Sequence, residues 1–218
     1  MAALPQFQIR WRDVTEVAQA ITTGMTEEEA AAVSRLDRPL LVFIYDENAD
    51  VDGDPRFEIE QHKAFQDDQV VIGARFFDCV RIDKTSAAKD RVLKPYARRS
   101  PSLVFVRPDL SAFKALKGKF SARSVYSAMC ATMQKDYQNC VRTAVKKQRA
   151  LQKELLKVNK MRVEVVTLNE RIDDTESTRK RAKLVKERDA LEKEIGVAEG
   201  RLNEREGAIY ELKPRKTT

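Results

Sequence analysis

Apolar residues in the first 135 positions fall into short runs that predict a series of β-strands. Pro39–Tyr45 is an unbroken apolar run between turn residues, which is typical of a strand that is buried on both faces of a sheet. Val70–Asp83 contains the next predicted strand. Leu103–Val106 is another apolar run, and the turn at Pro108–Asp109 predicts that Ala112–Phe120 returns beside it as a hairpin partner.

Capping residues and prolines predict the helices between and after these strands. Thr85 and Ser86 are suited to begin a helix that stops near Pro95. Ser121 is suited to begin the next helix. Because the segment Lys119–Ile195 contains neither Gly nor Pro, we expect this helix to continue without a break into the C-terminal part of the chain.

The C-terminal part carries two apolar seams with the spacing of a coiled coil. The first seam consists of Val141, Ala144, Leu151, Leu155, Val158, Val165 and Ile172. The second seam consists of Leu184, Leu191, Ile195, Ala198, Leu202, Ile209 and Leu212. Asp173 followed by Glu176 has the spacing of a capping box, which indicates a new helix start between the seams. We therefore expect two antiparallel helical layers related about residue 175, with a hairpin within one chain favoured over an antiparallel dimer.

Charge divides the chain at the same place. Residues 1–140 hold 20 Lys and Arg against 20 Asp and Glu, whereas residues 141–218 hold 21 against 14 and account for the net charge of +7. Residues 142–162 contain eight basic residues and one acidic residue, and residues 192–211 contain six acidic and three basic residues. An antiparallel arrangement places the basic arm against the acidic arm, whereas a parallel dimer in register would oppose basic residues to one another.

Few residues in the chain are suited to thiol, metal or histidine chemistry. The three cysteines, Cys79, Cys130 and Cys140, have neither CxxC nor metal-ligand spacing. If they share one helix, Cys130 and Cys140 lie about 15 Å apart, so no disulfide is expected between them. His62 is the only histidine, which argues against a zinc site and against a histidine-based catalytic triad.

The order strand–helix–strand–helix–strand–strand–helix, over about residues 38–135, resembles the thioredoxin fold. The match is most specific in the stretch YARRSPSLVFVRPDLSAFKALKGKF, where Pro101 falls at the cis-proline position of the family and Ser100 directly before it. The stretch RPLLVFIYDEN is similar to the strand that leads into the family's active-site loop, and Ile9–Trp11 would add an edge strand. The resemblance implies an α/β, thioredoxin-like three-layer domain, to which the seams add a long C-terminal helical coiled coil.

The catalytic motif of the thioredoxin family is missing. Thioredoxins carry W-C-x-x-C directly after this strand, where the present chain has Ala49 and Asp52 in place of the two cysteines. Phe43 stands in place of the family's buried carboxylate. Disulfide exchange needs a reactive thiolate and a resolving thiol. The resemblance therefore implies the fold without the chemistry, and we expect the chain not to be an enzyme.

Two sets of residues around this loop are candidates for binding. In thioredoxin-like proteins the backbone before the cis-proline pairs with an extended client peptide, which makes Ser100, Pro101 and Tyr45 peptide-binding candidates. The alternative is that the proline only shapes a tight connection.

The acidic loop after the first long strand contains a partial cation-binding pattern. Asn48, Asp50 and Asp52 occupy alternate positions before Gly53, as the first ligands of an EF-hand loop do. Ile59 stands where that loop requires Glu. The favoured interpretation is that these carboxylates solvate the start of the next helix, with a Ca²⁺ site as the alternative; no other cofactor is expected.

The C-terminal part also carries a basic patch. It consists of Lys146, Lys147, Arg149, Arg179, Lys180, Arg181 and Lys183. Residues 141–209 contain no aromatic residue, so bases could not stack there and a nucleic acid would be held through its phosphates alone. The favoured interpretation is a solvated helix face whose charges pair within the protein.

The sequence thus divides into four parts. Residues 1–37 are a lead-in with a strand and helices, 38–140 the thioredoxin-like domain, 141–213 the coiled-coil extension and 214–218 a disordered tail.

From these features we expect a redox-inactive scaffold protein that binds other proteins. The alternatives are a thiol-disulfide oxidoreductase or peroxidase that uses an atypical cysteine, and a phosphate-dominated nucleic-acid binder. The expected partner is a protein, with a homodimer through an antiparallel coiled coil as an alternative. No apolar run has the length of a signal peptide or reaches the roughly 20 residues of a membrane span, so a cytoplasmic location without a membrane partner is expected.

Overall fold

Five strands form one mixed sheet in the N-terminal part of the chain. The structure, a computed structural model, describes residues 9–14, 38–46 and 63–215. The strands are β1 (Arg12–Asp13), β2 (Leu40–Tyr45), β3 (Asp78–Asp83), β4 (Ser102–Val106) and β5 (Ala112–Lys117). Their order in the sheet is β1-β3-β2-β4-β5. β1 and β2 run parallel to β3, whereas β4 runs antiparallel to both β2 and β5.

Helices flank the sheet and make up the C-terminal part. They are α1 (Asp68–Ala74), α2 (Lys84–Ala87), α3 (Lys94–Ala97), α4 (Ala122–Asp136), α5 (Val141–Asp173) and α6 (Thr178–Tyr210), and residues 63–66 are also helical. The protein is therefore an α/β protein with a long C-terminal helical region, as the sequence predicted at that level.

The central strand β2 is covered on both faces, which explains its unbroken apolar sequence. One face belongs to a core cluster of Leu40, Val42, Ile44, Val80, Ile82, Ala87, Leu93, Ala97, Val104 and Val106. Ala87 and Ala97 of this cluster come from α2 and α3. On the other face, Phe43 lies against Trp11 and Phe65, with ring centroids 5.9 and 5.7 Å away. Phe120, which precedes α4, is 6.4 Å from the Phe43 ring.

One strand boundary differs from the sequence prediction, and another strand is confirmed inside a longer predicted segment. The edge strand β1 covers Arg12–Asp13 instead of Ile9–Trp11. The strand expected within Val70–Asp83 begins only at Asp78, because α1 occupies the first part of that segment. The side chain of Asp67 starts α1 by accepting hydrogen bonds from the first backbone N–H groups of the helix.

The single helix predicted between Thr85 and Pro95 is wrong. The cap of α2 is Asp83, whose carboxylate accepts a hydrogen bond from the Thr85 N–H at 2.6 Å, and α2 lasts one turn. The Asp90 carboxylate then accepts hydrogen bonds from the backbone N–H groups of Val92 and Leu93, at 2.7 and 3.0 Å. These bonds favour a turn over a continued helix. Pro95 lies in the first turn of α3, where its missing N–H is not needed.

The prediction that the last helix of the sheet domain continues into the C-terminal part is also wrong. α4 ends at Asp136, and Tyr137 has extended backbone angles, φ −128° and ψ 156°. Tyr137 forms a β-bridge with Pro214 from the other end of the helical region. Arg107 holds the Asp136 carboxylate in a two-pronged ion pair, with N–O distances of 2.5 and 2.9 Å. The break is therefore made by contacts that are remote in sequence and requires no Gly or Pro.

Residues 212–215, which we call the C-terminal strap, continue this pairing. Gln138 N–H donates to the Lys213 carbonyl at 2.8 Å, and Lys213 N–H donates to the side chain of Asn139 at 2.7 Å. The backbone N–H of Arg215 donates a hydrogen bond to the Asp136 carbonyl at 2.9 Å, and its side chain donates to the Tyr137 carbonyl at 3.0 Å. Within the predicted disordered tail, Pro214 and Arg215 are thus held by hydrogen bonds.

By its contacts the chain divides into two compact units. The first, the α/β unit, comprises Met1–Val145 together with Leu212–Thr218, and the second, the helical unit, comprises Lys146–Glu211. The chain therefore leaves the α/β unit through α5 and returns to it at the strap.

The helical unit is an antiparallel hairpin. Gln148 is bonded to Glu206 at 3.0 Å, Glu154 to Arg205 at 2.5 Å, and Arg162 forms an ion pair with Glu199. Residue numbers on α6 fall as those on α5 rise, so the arms run in opposite directions and the basic arm faces the acidic one. The helix start predicted at Asp173 is wrong, because Ser177 occupies the N-cap position of α6.

The seam of α5 is mostly buried where the sequence placed it. Leu151, Val158 and Ile172 are buried, and Leu168 is buried too although the predicted seam omits it. Gln148, a polar residue between the seam positions Ala144 and Leu151, is only 3% exposed, and its amide is hydrogen-bonded to Glu206 within the hairpin.

Candidate functional site

The three predicted peptide-binding residues lie together at one end of the two central strands. Tyr45 ends β2, and Ser100 and Pro101 directly precede β4, the antiparallel neighbour of β2. The Ser100 hydroxyl donates to the Ile44 carbonyl at 3.5 Å, so the two segments are in contact. The Ser100–Pro101 peptide bond is cis, which confirms that part of the sequence prediction.

The backbone of Ser100 is the distinctive feature of this site. The Pro101 carbonyl is used by the protein itself, since it accepts a hydrogen bond from Gly118 N–H at 2.8 Å. Gly118 has φ +65°, which a glycine adopts without strain. Within the described parts of the chain, the N–H and C=O of Ser100 make no hydrogen bond. One donor and one acceptor are therefore left beside the end of a strand.

The connection before Ser100 is held firmly. Ser102 is fully buried, and its hydroxyl lies 2.7 Å from the Arg99 carbonyl and 3.3 Å from the Tyr96 carbonyl. Lys117 of β5 places its ammonium 5.5 Å from the centre of the Tyr96 ring, an arrangement suited to a cation–π contact. The backbone at Ser100 is thus presented from a supported turn.

An aromatic surface lies next to this backbone. Tyr45 is half-buried, and its ring stacks on Phe43 with centroids 6.4 Å apart. Asp46, the following residue, forms an ion pair with Lys84 at the start of α2. The end of β2 therefore offers an apolar ring beside charged groups that are already paired.

The candidate cation loop lies outside the described residues. Asn48, Asp50 and Asp52 belong to the segment 47–62, as does Ala49, so their arrangement stays a prediction. Among the residues of known placement, no group of three or more His, Cys, Asp or Glu side chains is arranged to hold a metal ion.

The predicted basic patch is not one surface. All seven residues are exposed, but Lys146, Lys147 and Arg149 lie at the open end of the hairpin, whereas the four at positions 179–183 lie at its turn. About 24 residues of helix separate the two groups along α5, which corresponds to about 36 Å.

A cleft of about 400 Å³ lies at the turn of the hairpin. It is lined by Arg171, Asp174, Thr175, Lys180, Lys183, Leu184 and Glu187. Two carboxylates thus stand among its cations, which reduces its attraction for phosphate.

The cysteines differ sharply in their surroundings. Cys79 is buried in β3, and its thiol donates to the Ala74 carbonyl at 3.6 Å. Burial, and secondarily the charge of Asp78, raise the pKa of Cys79 to about 12. This thiol therefore stays protonated near neutral pH and behaves as a small buried hydrophobe.

A group of side chains around the other two cysteines was not predicted from the sequence. Cys140 directly precedes α5 and is exposed, and Cys130 is buried in α4. Hydrogen bonds from Thr143 lower the pKa of Cys140, with the backbone N–H contributing most. The expected separation of 15 Å does not apply, because the two cysteines are on different helices. The sequence did contain one signal for this helix start. Cys140 and Thr143 have the spacing of an N-cap residue and the third residue of the helix that follows it.

Comparisons with known proteins identify no relative. No protein-family description, no curated protein and no solved structure matches this chain. In the described part of the chain, no helix is long and apolar enough to cross a membrane.

Proposed function

We propose that this protein is a non-catalytic binding protein that holds an extended segment of a partner protein at Ser100. Its α/β unit would be a thioredoxin-like domain that lacks the CxxC motif and the disulfide-reductase activity of the family, and its helical unit would act as a scaffold. The order β2, α1, β3, α2 with α3, β4, β5, α4 supports this assignment, because it is the order on which the resemblance rests.

The proposal depends on the backbone N–H and C=O of Ser100, which make no hydrogen bond to any residue that the structure describes. An extended peptide can supply one carbonyl and one N–H to these groups, as an added strand does at a sheet edge. Each such hydrogen bond contributes about 0.5–1.5 kcal/mol net, so the backbone contact alone gives modest affinity. Selectivity would come from a peptide side chain packed against the ring of Tyr45.

The absence of catalysis is proposed from the sequence of the loop after β2 and from the state of the buried thiols. Ala49 and Asp52 replace the cysteines that thiol exchange would need there. Cys79 has its pKa raised to about 12 by burial, and burial also raises the pKa of Cys130. Neither group supplies a thiolate near neutral pH.

Peptide selection tests the binding proposal. Random peptides displayed on phage are selected on the full-length protein, and the affinity of a selected peptide is measured by fluorescence anisotropy. N-methylation of the peptide backbone at one position should weaken binding by about two- to twelvefold, because one lost hydrogen bond of about 0.5–1.5 kcal/mol corresponds to that range. Tyr45→Ala should weaken binding as well.

The matched control is Val197→Ala, which removes an exposed apolar side chain of the helical unit. This variant should bind the peptide as the wild type does. Failure to select any peptide would contradict the proposal, and so would a peptide that tolerates N-methylation at every position. Loss of binding in Val197→Ala alone would assign binding to the helical unit.

The thiol-enzyme alternative has one observation in its favour, the exposed Cys140 at the start of α5. An insulin-reduction assay with dithiothreitol separates the two functions. The proposal expects wild type and Cys140→Ser to remain at the rate of dithiothreitol alone. Turnover in the wild type that disappears in Cys140→Ser would favour the enzyme.

A further inference from the structure

The fold brings the sequence neighbours of two cysteines together across the break between α4 and α5. A Cβ atom built on Gly73 of α1 would lie 2.9 Å from Met129 Sδ and 3.2 Å from Val141 Cγ1. These two residues are the sequence neighbours of Cys130 and Cys140. The segment at the start of α5 therefore packs at the same level of the core as the middle of α4.

The chain length between the two cysteines agrees with this packing. α4 extends six residues beyond Cys130, which is about 9 Å of helix. The four residues Tyr137–Cys140 can span up to about 14 Å when extended, which is enough to return to the level of Cys130. The strap holds this returning segment through the backbone of Tyr137 and Gln138.

Cys140 has the features of a reactive thiol. It is exposed, and its carbonyl accepts the hydrogen bond of Ala144 N–H at 3.0 Å, so it lies at the N-terminal end of α5. Its pKa is lowered, chiefly by hydrogen bonding from the backbone N–H and hydroxyl of Thr143 and then by Arg142. A helix N-terminus stabilises a thiolate in the same way as it stabilises other anions.

Cys130 has the features of a partner thiol. It is buried, and burial raises its pKa, although hydrogen bonds from the Tyr126 hydroxyl and the Arg142 side chain act in the opposite direction. The pKa of Tyr126 is raised to about 12, chiefly by burial and then by the neighbouring Cys130, so its hydroxyl remains a donor. Arg142 lowers the pKa of both cysteines.

We propose that Cys140 and Cys130 form an oxidation switch, in which a hydroperoxide oxidises Cys140 and Cys130 then closes an intramolecular disulfide. In the first step the Cys140 thiolate attacks the peroxide O–O bond, an S–O bond forms, and the alcohol or water leaves with the electron pair. In the second step the Cys130 sulfur displaces the sulfenic oxygen, which leaves as water with the thiol proton. Two thiols lose two electrons and one peroxide gains them.

This switch goes beyond the proposed peptide site and does not depend on it. The disulfide would join α4 to the residue that begins α5, at the point where the strap already crosses the chain. Oxidation would therefore fix the junction that the strap otherwise holds by hydrogen bonds alone.

Peptide mapping of the full-length protein tests the proposal. The reduced protein, at low concentration, receives one equivalent of hydrogen peroxide and is digested with trypsin after free thiols are blocked. Cleavage after Arg123, Lys135 and Arg142 separates the cysteines into peptides 124–135 and 136–142. Mass spectrometry should find these two peptides joined by a disulfide, with two of the three thiols consumed.

Three variants make the test specific. Cys79→Ser should form the same disulfide, because Cys79 takes no part. Cys140→Ser should form none and keep its remaining thiols. Cys130→Ala should stop at a sulfenic acid on Cys140, which dimedone traps. The proposal is overturned if Cys79 enters the disulfide, if the bond joins two chains, or if wild-type Cys140 is oxidised without linking to Cys130.

Discussion

The same side chain behaves in opposite ways at two positions of this protein. Cys79 lies in β3 between covered faces, so burial raises its pKa to about 12. Cys140 lies in solvent at the first residue before a helix, and hydrogen bonds from Thr143 lower its pKa. Burial and hydrogen bonding at a helix start therefore decide which cysteine can react. The spacing of the cysteines in the sequence does not decide it.

This contrast predicts a pH dependence. Because the pKa of Cys140 is below the ordinary value of 9.0, its thiolate forms at a lower pH than that of an unperturbed cysteine. The rate of alkylation by iodoacetamide, followed for each cysteine by mass spectrometry, should reach half its maximum below pH 9 for Cys140. Cys79 should remain almost unreactive up to pH 10.

Thr143 supplies the matched variants. Thr143→Val removes the hydroxyl donor and should shift the profile of Cys140 to higher pH, whereas Thr143→Ser keeps the donor and should leave the profile in place. A Cys140 profile centred at or above pH 9 in the wild type would remove this account of the thiol.

The long strands and the start of α4 could be predicted because their signals are local. β2 and β4 are continuous apolar runs, and Ser121 caps α4 through its hydroxyl as the sequence indicated. The break after α4 could not be predicted, because Tyr137 pairs with Pro214 at the far end of the helical region. The helix pair α2 and α3 was missed because an aspartate side chain, Asp90, replaces the expected helical bonds.

The candidate site divides in the same way. Ser100 and Pro101 were identified from a local motif, and the sheet register then placed them beside β2. A disulfide between Cys130 and Cys140 was excluded because both residues were expected on one continuous helix. The error about that helix therefore also affected the prediction for the cysteines.

Glycines in two helices provide a test of the packing. A Cβ on Gly200 of α6 would meet nothing within 4 Å, so Gly200→Ala should stabilise the helical unit by up to about 1 kcal/mol through helix propensity. Gly73→Ala would place its methyl group against Met129 and Val141, both of which are buried. Overpacking typically costs about 1–3 kcal/mol, which exceeds the propensity gain.

Urea unfolding measures both changes. Helical circular dichroism reports mainly the two long helices α5 and α6, and the fluorescence of Trp11, the single tryptophan, reports the α/β unit. We expect Gly200→Ala to raise the circular-dichroism midpoint and Gly73→Ala to lower the fluorescence midpoint. A stabilised Gly73→Ala variant would show that the α1 contact with the start of α5 is looser than described.

For the molecule as a whole, the strap is the segment that returns the end of the chain to the α/β unit. It follows the helical unit in sequence, yet its hydrogen bonds go to the residues between α4 and α5. The α/β unit is therefore assembled from two separate stretches of chain. The ion pairs along the hairpin are largely exposed and add little by comparison.

Truncation tests the role of the strap. A chain that ends at Glu211 loses the hydrogen bonds to Asp136, Tyr137, Gln138 and Asn139. Because net contributions are about 0.5–1.5 kcal/mol for each bond and the strap is partly exposed, the loss should be about 1–3 kcal/mol. The urea midpoint of Trp11 fluorescence should fall accordingly. A chain that ends at Arg215 keeps every strap bond and should unfold like the wild type; equal midpoints for the two truncations would contradict this role.

The proposed binding function is tested most directly by the amide hydrogen exchange of Ser100, measured by NMR without and with a saturating selected peptide. Since the Ser100 N–H has no partner in the described parts of the chain, it should exchange rapidly in the free protein and at least about tenfold more slowly in the complex. Gly118 N–H, which is bonded to the Pro101 carbonyl, should be protected in both states. A Ser100 amide that is already protected in the free protein, or unchanged when the peptide is bound, would contradict the account.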